Sequence, residues 1–490
     1  MHRTPVILLT LIVATVFVSV LFADLLPLSL NGYALQRFVL AGLLVLGCTA
    51  GIIVWVRRNG WQNFNHAWPV LLVAASFLLF ALPYRDAPYA WVEPGMYAAF
   101  FLGFVFVGTL AGDSEQKYRW VVILVYTAAI TAAFYGSITI MVYLFALSDQ
   151  VTDLSDYIPW GFVNIRYWSH VATWLIPLLA LAALIGPLRN QRLWQFFCAM
   201  GAALWWWVVL LSTARGTMLG LAFGVLVAVL FIGRPALPWL KVFLKYLAYG
   251  VLAWVFLSVL VPSLFADEVS GRSFTLDSSS RMPMFLEAWK MSLENFPFGK
   301  GPQSWLTHEI ITEEYRRTSK FAHPHNMYLM WAAEYGWLII GAILILAGQA
   351  IRLFWQRRAE VLARGAGEQA LPLAAFTASV SAALLHAGVS AVFIAPGSML
   401  VGFFVLCVFW ALLVPNRVKA PKRVSAGLLT TVAATAILGL LACLWLREVA
   451  VYHQAMEDDR NLHYESVPYG TPPRFWYYGN FPRPPEEMIH

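Results

Sequence analysis

Residues Phe321–Leu346 read FAHPHNMYLMWAAEYGWLIIGAILIL. The second half, from Trp337 on, is an uninterrupted apolar run of the kind that crosses a bilayer. The first half sets two histidines, a proline and an asparagine at the mouth of that run. A titratable pair at the lip of a membrane helix has to be explained, and the rest of the sequence supplies its context.

The chain has 490 residues, 60% of them hydrophobic and 12% charged. Soluble domains carry about a quarter charged residues, so this much apolar surface calls for lipid. The fold class expected is all-α and polytopic, with 12–13 membrane helices. Spans are expected at roughly 4–22, 33–56, 67–83, 96–112, 119–146, 168–187, 193–212, 216–233, 242–262, 327–351, 371–392, 398–414 and 425–446, each near the ~20 residues a bilayer core requires. The basic, apolar opening MHRTPVILL reads as the first of these, retained, rather than as a cleaved signal. The 22 tryptophans and 20 tyrosines suit interfacial belts.

With the N-terminus in the cytoplasm, the cytoplasmic connections hold Arg57, Arg58, Lys117, Arg119, Arg189, Arg192, Arg234, Lys241, Arg352, Arg357, Arg358 and Arg364. The last of them carries Arg417, Lys419, Lys422 and Arg423. Short connections on the other side hold few basic residues, which is the positive-inside pattern. The net charge of +7 is thus a topology signal, and no nucleic-acid partner is expected. The chain divides into 1–262, helices one to nine with an external loop at 147–167; a long external loop, 263–326; 327–446, helices ten to thirteen; and a tail, 447–490, rich in Tyr, Trp and Pro. In the long loop RMPMFLEAWKMSLENF has helical apolar spacing, with Met284, Leu286, Trp289, Met291 and Leu293 near one side. An amphipathic helix lying on the membrane or roofing a cavity is expected there. Cys48, Cys198, Cys407 and Cys443 all lie in apolar runs without C-x-x-C spacing, so neither a disulfide framework nor a zinc site is indicated. No internal repeat or intramembrane acidic relay of the transporter kind is found.

Positive side chains nevertheless collect on the external face. Arg215 sits in LSTARGTMLG between spans seven and eight, Arg281 in SSSRMPMF, Arg166 beside Asn164 in GFVNIRYWSH, and Lys300 in PFGKGPQSW. A lone arginine at a helix end also serves as a snorkelling anchor. Arg215, however, lies on the wrong side for a topology signal, and the small residues flanking it would let a phosphate approach the N–H groups opening span eight. Guanidinium groups from separate loops match phosphate oxygens. In HPHN, Pro324 suits the first position of a helix, which puts His325 in the first turn of span ten. The helix dipole and nearby arginines then favour neutral imidazole, the proton-accepting form. The other reading is a capping or interfacial histidine. Asn326 is expected to cap or to orient a ligand. His323 and His325 lack clear metal-ligand spacing with His308 or Glu314. Glu334, inside the same helix, is expected to pack inward as a paired carboxylate.

These residues carry a resemblance. LSTARG at a span junction, the stretch RMPMFLEAWKMSLENFPFGKGPQSW and HPHNMYLMWAAEYGWLIIG together resemble the O-antigen ligase and O-antigen polymerase superfamily of bacterial inner-membrane glycosyltransferases, chiefly over 160–345. Protein O-oligosaccharyltransferases share the same ordered trio of short-loop arginine, long loop and His-Asn. The resemblance implies a GT-C-like, metal-independent and inverting transferase without a cofactor, its site facing the periplasm. The implied donor is a glycan on undecaprenyl diphosphate; for a ligase, the acceptor is a sugar hydroxyl of lipid A–core. It further implies that His325 is catalytic, that Arg215 and Arg281 hold the diphosphate, and that Arg166, Asn164, Lys300, His323, Asn326 and Glu334 are further candidate contacts. Many relatives carry a second arginine where this chain has LSTARG. The thirteenth span and the tail fall outside the twelve-span plan. A transporter of lipid-linked glycans is the expectation from outside the enzyme class.

Overall fold

A computed structural model describes residues 3–57, 64–111, 114–149, 151, 154, 157–265, 281–363, 367–415, 427–459 and 473–478. Among these residues there is no strand. A lipid-immersed backbone must satisfy its own hydrogen bonds, and helices do so within one segment. The helices in chain order are α1 (Arg3–Leu21), α2 (Gly32–Arg57), α3 (Phe64–Ala81), α4 (Val92–Gly108), α5 (Ser114–Ser148), α6 (Ile165–Ala182), α7 (Arg192–Leu211), α8 (Arg215–Ile232) and α9 (Leu237–Val255). A π-helical turn, Phe256–Leu260, leads from α9 to the short α10 (Pro262–Phe265). Then come α11 (Arg281–Glu294), the single turn α12 (Glu313–Arg316), α13 (Met327–Tyr335), α14 (Trp337–Ala363), α15 (Gly367–Ala387), α16 (Pro396–Leu413) and α17 (Leu428–Asp458).

Among the described residues ten helices are long and apolar enough to cross a membrane, and Val6–Leu21 and Val92–Gly108 are shorter apolar helices. The protein is therefore a multi-pass membrane protein, as its hydropathy required. α6 is not among those ten. It runs through the middle of the bundle, buried from Tyr167 to Ala182, and so tolerates Ser169, His170 and Thr173. α15 and α16 share this interior position, 83% and 89% buried over their apolar windows, whereas α17 is 6% buried and lies on the outside. α8 meets α15 through Gly216, Gly220 and Gly224; a Cβ at Gly224 would stand 2.1 Å from the carbonyl oxygen of Ala378. Small residues at this spacing let two membrane helices touch backbone to backbone. The contact sets the opening of α8, and with it Arg215, against His386 of α15.

Span ten departs from the expectation. The run 327–351 is not one helix. α13 ends after nine residues, Gly336 takes φ +87°, and α14 starts again and continues to Ala363. A Cβ at Gly336 would stand 2.4 Å from the carbonyl oxygen of Pro297, so only glycine fits where the external loop crosses the break. α11 also differs from the single apolar side expected. Met284, Ala288 and Met291 pack against Trp305, Tyr315 and Ala333, while Leu286, Trp289 and Leu293 face outward with Met282. The helix is apolar on two sides, one against protein and one exposed. Arg58, Arg364, the basic cluster 417–423, and parts of the loops (150, 152–153, 155–156 and 266–280) and of the tail (460–472 and 479–490) lie outside the described residues.

Candidate functional site

The 321–326 turn is built by local hydrogen bonds. Asn326 caps α13, its side-chain oxygen accepting from the N–H groups of Tyr328 and Leu329, both at 3.0 Å. The helix proper therefore starts at Met327, and His325 sits before the cap, not in a first helical turn as the sequence suggested. Its backbone is left-handed, φ +55°, a conformation unusual outside glycine. The His325 N–H donates to His323 Nδ1 at 3.2 Å, and the two rings stand nearly perpendicular, 4.4 Å apart. Phe321 closes the other side of the His325 ring at 5.1 Å.

Arg166 meets this histidine from α6. Asn164 caps that helix by accepting from the Arg166 N–H at 2.9 Å. Arg166 Nη1 lies 3.3 Å from His325 Nε2. A guanidinium can only donate, so the contact assigns the lone pair to Nε2 and the proton to Nδ1. Nδ1 is buried with no hydrogen-bond partner among the described residues. Burial is the main reason the His325 pKa falls well below the ordinary imidazole value; the His323 ring and the positive charges of Arg166 and Arg281 push the same way. His323 is lowered to about 3, again by burial first and then by Arg474, Arg166 and Arg281. Both rings are neutral at pH 7.

Arg281, half-buried, opens α11, and Arg215, exposed, opens α8. The Arg281 pKa is lowered by burial and then by repulsion from Arg166 and Arg215, which places Arg281 within the field of both. Four helix N-termini thus meet at one end of the bundle: α6 with Arg166, α8 with Arg215, α11 with Arg281, and α13 behind His325. Helix N-termini carry partial positive charge and favour anions. Arginine at three of these N-termini runs against the helix dipole, a cost that a bound anion would offset. Beneath the cluster lies a buried polar layer. His170 Nε2 is 2.7 Å from Ser390 Oγ, and Thr173 Oγ1 is 2.8 Å from His386 Nδ1.

Lys300 and Glu334 have other partners, and Glu334 packs inward as the paired carboxylate the sequence suggested. The Lys300 ammonium pairs with Glu294, and its N–H donates to the Ala333 carbonyl at 3.0 Å, so its contacts lead away from the arginines. Glu334 is fully buried, accepts from the Trp305 N–H at 3.1 Å and binds Arg474 at 2.7 Å. His308 is engaged by Glu287 at 2.9 Å, apart from the His323–His325 pair. Sequence reading missed Arg474, Glu93, His170 and His386. Only the aromatic company of Arg474 in PRFWYY hinted at a packed segment.

No curated protein matches the chain. Residues 199–346, which hold Arg215, Arg281, His325 and Glu334 but not Arg166 or Arg474, match the family model described as O-antigen ligase. That match covers the central part of the chain and, with the all-helical membrane fold, makes this protein similar there to the O-antigen ligase and O-antigen polymerase superfamily of glycosyltransferase-like enzymes.

Proposed function

We propose that this protein is an O-antigen ligase of the bacterial inner membrane. It transfers a glycan from undecaprenyl diphosphate to a sugar hydroxyl of lipid A–core on the periplasmic side, with inversion and without a metal. The observation that carries the reading is the neutral His325 imidazole held against Arg166 and within the field of Arg281, which in turn feels Arg215. A proton acceptor surrounded by phosphate-matching donors suits attack by a hydroxyl on an anomeric carbon that bears a diphosphate.

In the proposed step the acceptor oxygen forms a bond to the anomeric carbon from the face opposite the leaving group. The carbon–oxygen bond to the diphosphate breaks, and its electron pair leaves with the phosphate. The hydroxyl proton passes to His325 Nε2, which Arg166 must release as the acceptor enters. Arg166, Arg215 and Arg281 neutralise the charge that grows on the diphosphate, so no acid is needed there. The basic residues at the opposite helix ends, Arg57, Arg119, Arg192 and Arg358 among them, support a periplasmic site.

Deleting the gene and examining the glycan tests the reading. Long chains retained on undecaprenyl diphosphate are the expected product. Single unpolymerised repeats would instead make the protein a polymerase, and loss of glycan from protein Ser or Tyr would make it a protein glycosylase. His325→Ala is expected to slow transfer by about 10²–10⁴ while lipid-diphosphate binding persists. Continued movement of lipid-linked glycan as the sole activity would identify a transporter.

A further inference from the structure

The segment 473–478 is far from the matched family region in sequence but touches it in space, at Ala322 and Glu334. Arg474, Phe475 and Trp476 are each 1% exposed. The backbone is gripped by two helices. The Pro473 carbonyl accepts from the Tyr167 hydroxyl at 2.9 Å, immediately beside Arg166. The Arg474 carbonyl accepts from the Tyr33 hydroxyl, and from Arg37 Nη2 at 3.0 Å. Arg37 Nε donates to the Phe475 carbonyl at 2.8 Å, and its guanidinium lies 4.5 Å from the Phe475 ring centroid.

The Arg474 side chain then spans three elements. It makes a two-point contact with Glu93 of α4 at 2.8 and 2.9 Å. It reaches both oxygens of Glu334 in α13 at 2.7 Å. Its Nη1 donates to the carbonyl of Ala322, the residue before His323, at 3.2 Å. Glu334 also fixes Trp305, whose indole N–H donates to the Phe321 carbonyl at 2.9 Å. The consecutive carbonyls of Phe321 and Ala322, which lead into His323, are therefore tied to one node. Two carboxylates buried beside the turn would be strongly unfavourable without this cation.

We propose that Arg474 is a positioning residue: through it, the 473–478 segment clasps the turn that presents His325 to Arg166. The inference rests on the transferase reading for its kinetic arm. The clasp holds the Ala322 carbonyl and so the path of the chain into His323. His323 Nδ1, kept neutral partly by the Arg474 charge, then accepts the His325 N–H and maintains the left-handed backbone at that residue. Lysine cannot replace the fork, because one ammonium does not reach two carboxylates and a carbonyl with fixed geometry.

The test uses the full chain in detergent or liposomes. One variant is Arg474→Lys. The other combines Arg474→Met with Glu93→Gln and Glu334→Gln, so that no unpaired charge is buried. Both are expected to lower kcat at least tenfold while the donor KM stays within about twofold, since the arginines that hold the diphosphate are intact. In parallel, diethylpyrocarbonate labelling of His325, read by mass spectrometry, should rise severalfold as the turn loosens. Wild-type kcat with wild-type labelling in the lysine variant overturns the proposal. So does a loss expressed only in donor KM. If wild type shows no transfer, the transferase reading fails, and if His325→Ala retains full transfer, the role of His325 as base fails; in either case the labelling arm still decides the clasp because it measures access to His325 and not turnover.

Discussion

Replacing Arg166 by methionine removes the cation that lies against His325 Nε2 while keeping a long side chain there. Two losses are expected. The contact to Nε2 at 3.3 Å orients the His325 ring and fixes its tautomer before Arg166 gives way to the acceptor, and losing that orientation is expected to cost about 1.5 kcal/mol. A phosphate contact made by the same guanidinium in the transition state adds a similar amount. Together they come to about 3 kcal/mol, or about a hundredfold in kcat at 1.36 kcal/mol per tenfold. His325→Ala, which removes a general base, is expected to cost about 10²–10⁴. The two residues share one contact, so their effects should overlap. Arg166→Met made on top of His325→Ala should lower the rate only about tenfold further, a coupling of roughly 1.5 kcal/mol. Single-turnover transfer from a lipid-diphosphate-linked glycan measures all four corners of the cycle. The loss of positive charge must also let His325 protonate at higher pH, moving the acid limb of the kcat profile of Arg166→Met toward alkaline pH. A cycle additive within about 0.5 kcal/mol, with an unmoved acid limb, would refute the pairing of base and guanidinium.

Four further outcomes follow from the same geometry. His323 and His325 are buried neutral with pKa values lowered by burial, so the unfolded chain binds more protons below the ordinary value of about 6.5. Stability is then full above that pH and lost as pH falls, by roughly 1 kcal/mol per pH unit for each ring. Thermal melts in detergent at pH 7.5 and 5.5 should show the drop in wild type, and a smaller one in His323→Gln. Gly336→Ala forces a side chain into φ +87° and toward the Pro297 carbonyl, so a destabilisation of about 2–4 kcal/mol is expected, read as a lower Tm; an unchanged Tm would mean that the break between α13 and α14 is not fixed there. Arg215→Lys should remain impaired, since a point charge does not reproduce the planar fork, and near-normal transfer would argue against bidentate phosphate binding. Transfer should also persist in EDTA, whereas a loss reversed by one divalent ion would restore a metal-dependent reading.

How the sequence and the structure divided this information is clearest at particular residues. The edges of most spans follow the hydropathy within a few residues, because lipid admits no unpaired backbone and each span must announce itself locally. HPHN, LSTARG and the loop arginine were legible for the same reason: each is a short string whose residue types are out of place at a membrane boundary. The break at Gly336 was not legible, because YGW inside an apolar run reads equally well as a continuous helix. The neutral state of His325 was expected from the helix dipole, and the structure assigns it first to burial.

The sequence by itself determined that the chain is a helical membrane protein, which end of the bundle gathers arginine and histidine, and which family the central segment resembles. Only the tertiary structure decided that Arg166 is the partner of His325, 159 residues away, and that Arg474 is clasped by Glu93 and Glu334 across 381 and 140 residues. The physical reason is range. Transfer of a segment into lipid depends on about twenty neighbours in the chain, whereas a buried charge is stabilised by whichever opposite charge the packing brings within about 3 Å, and nothing in local composition records that partner.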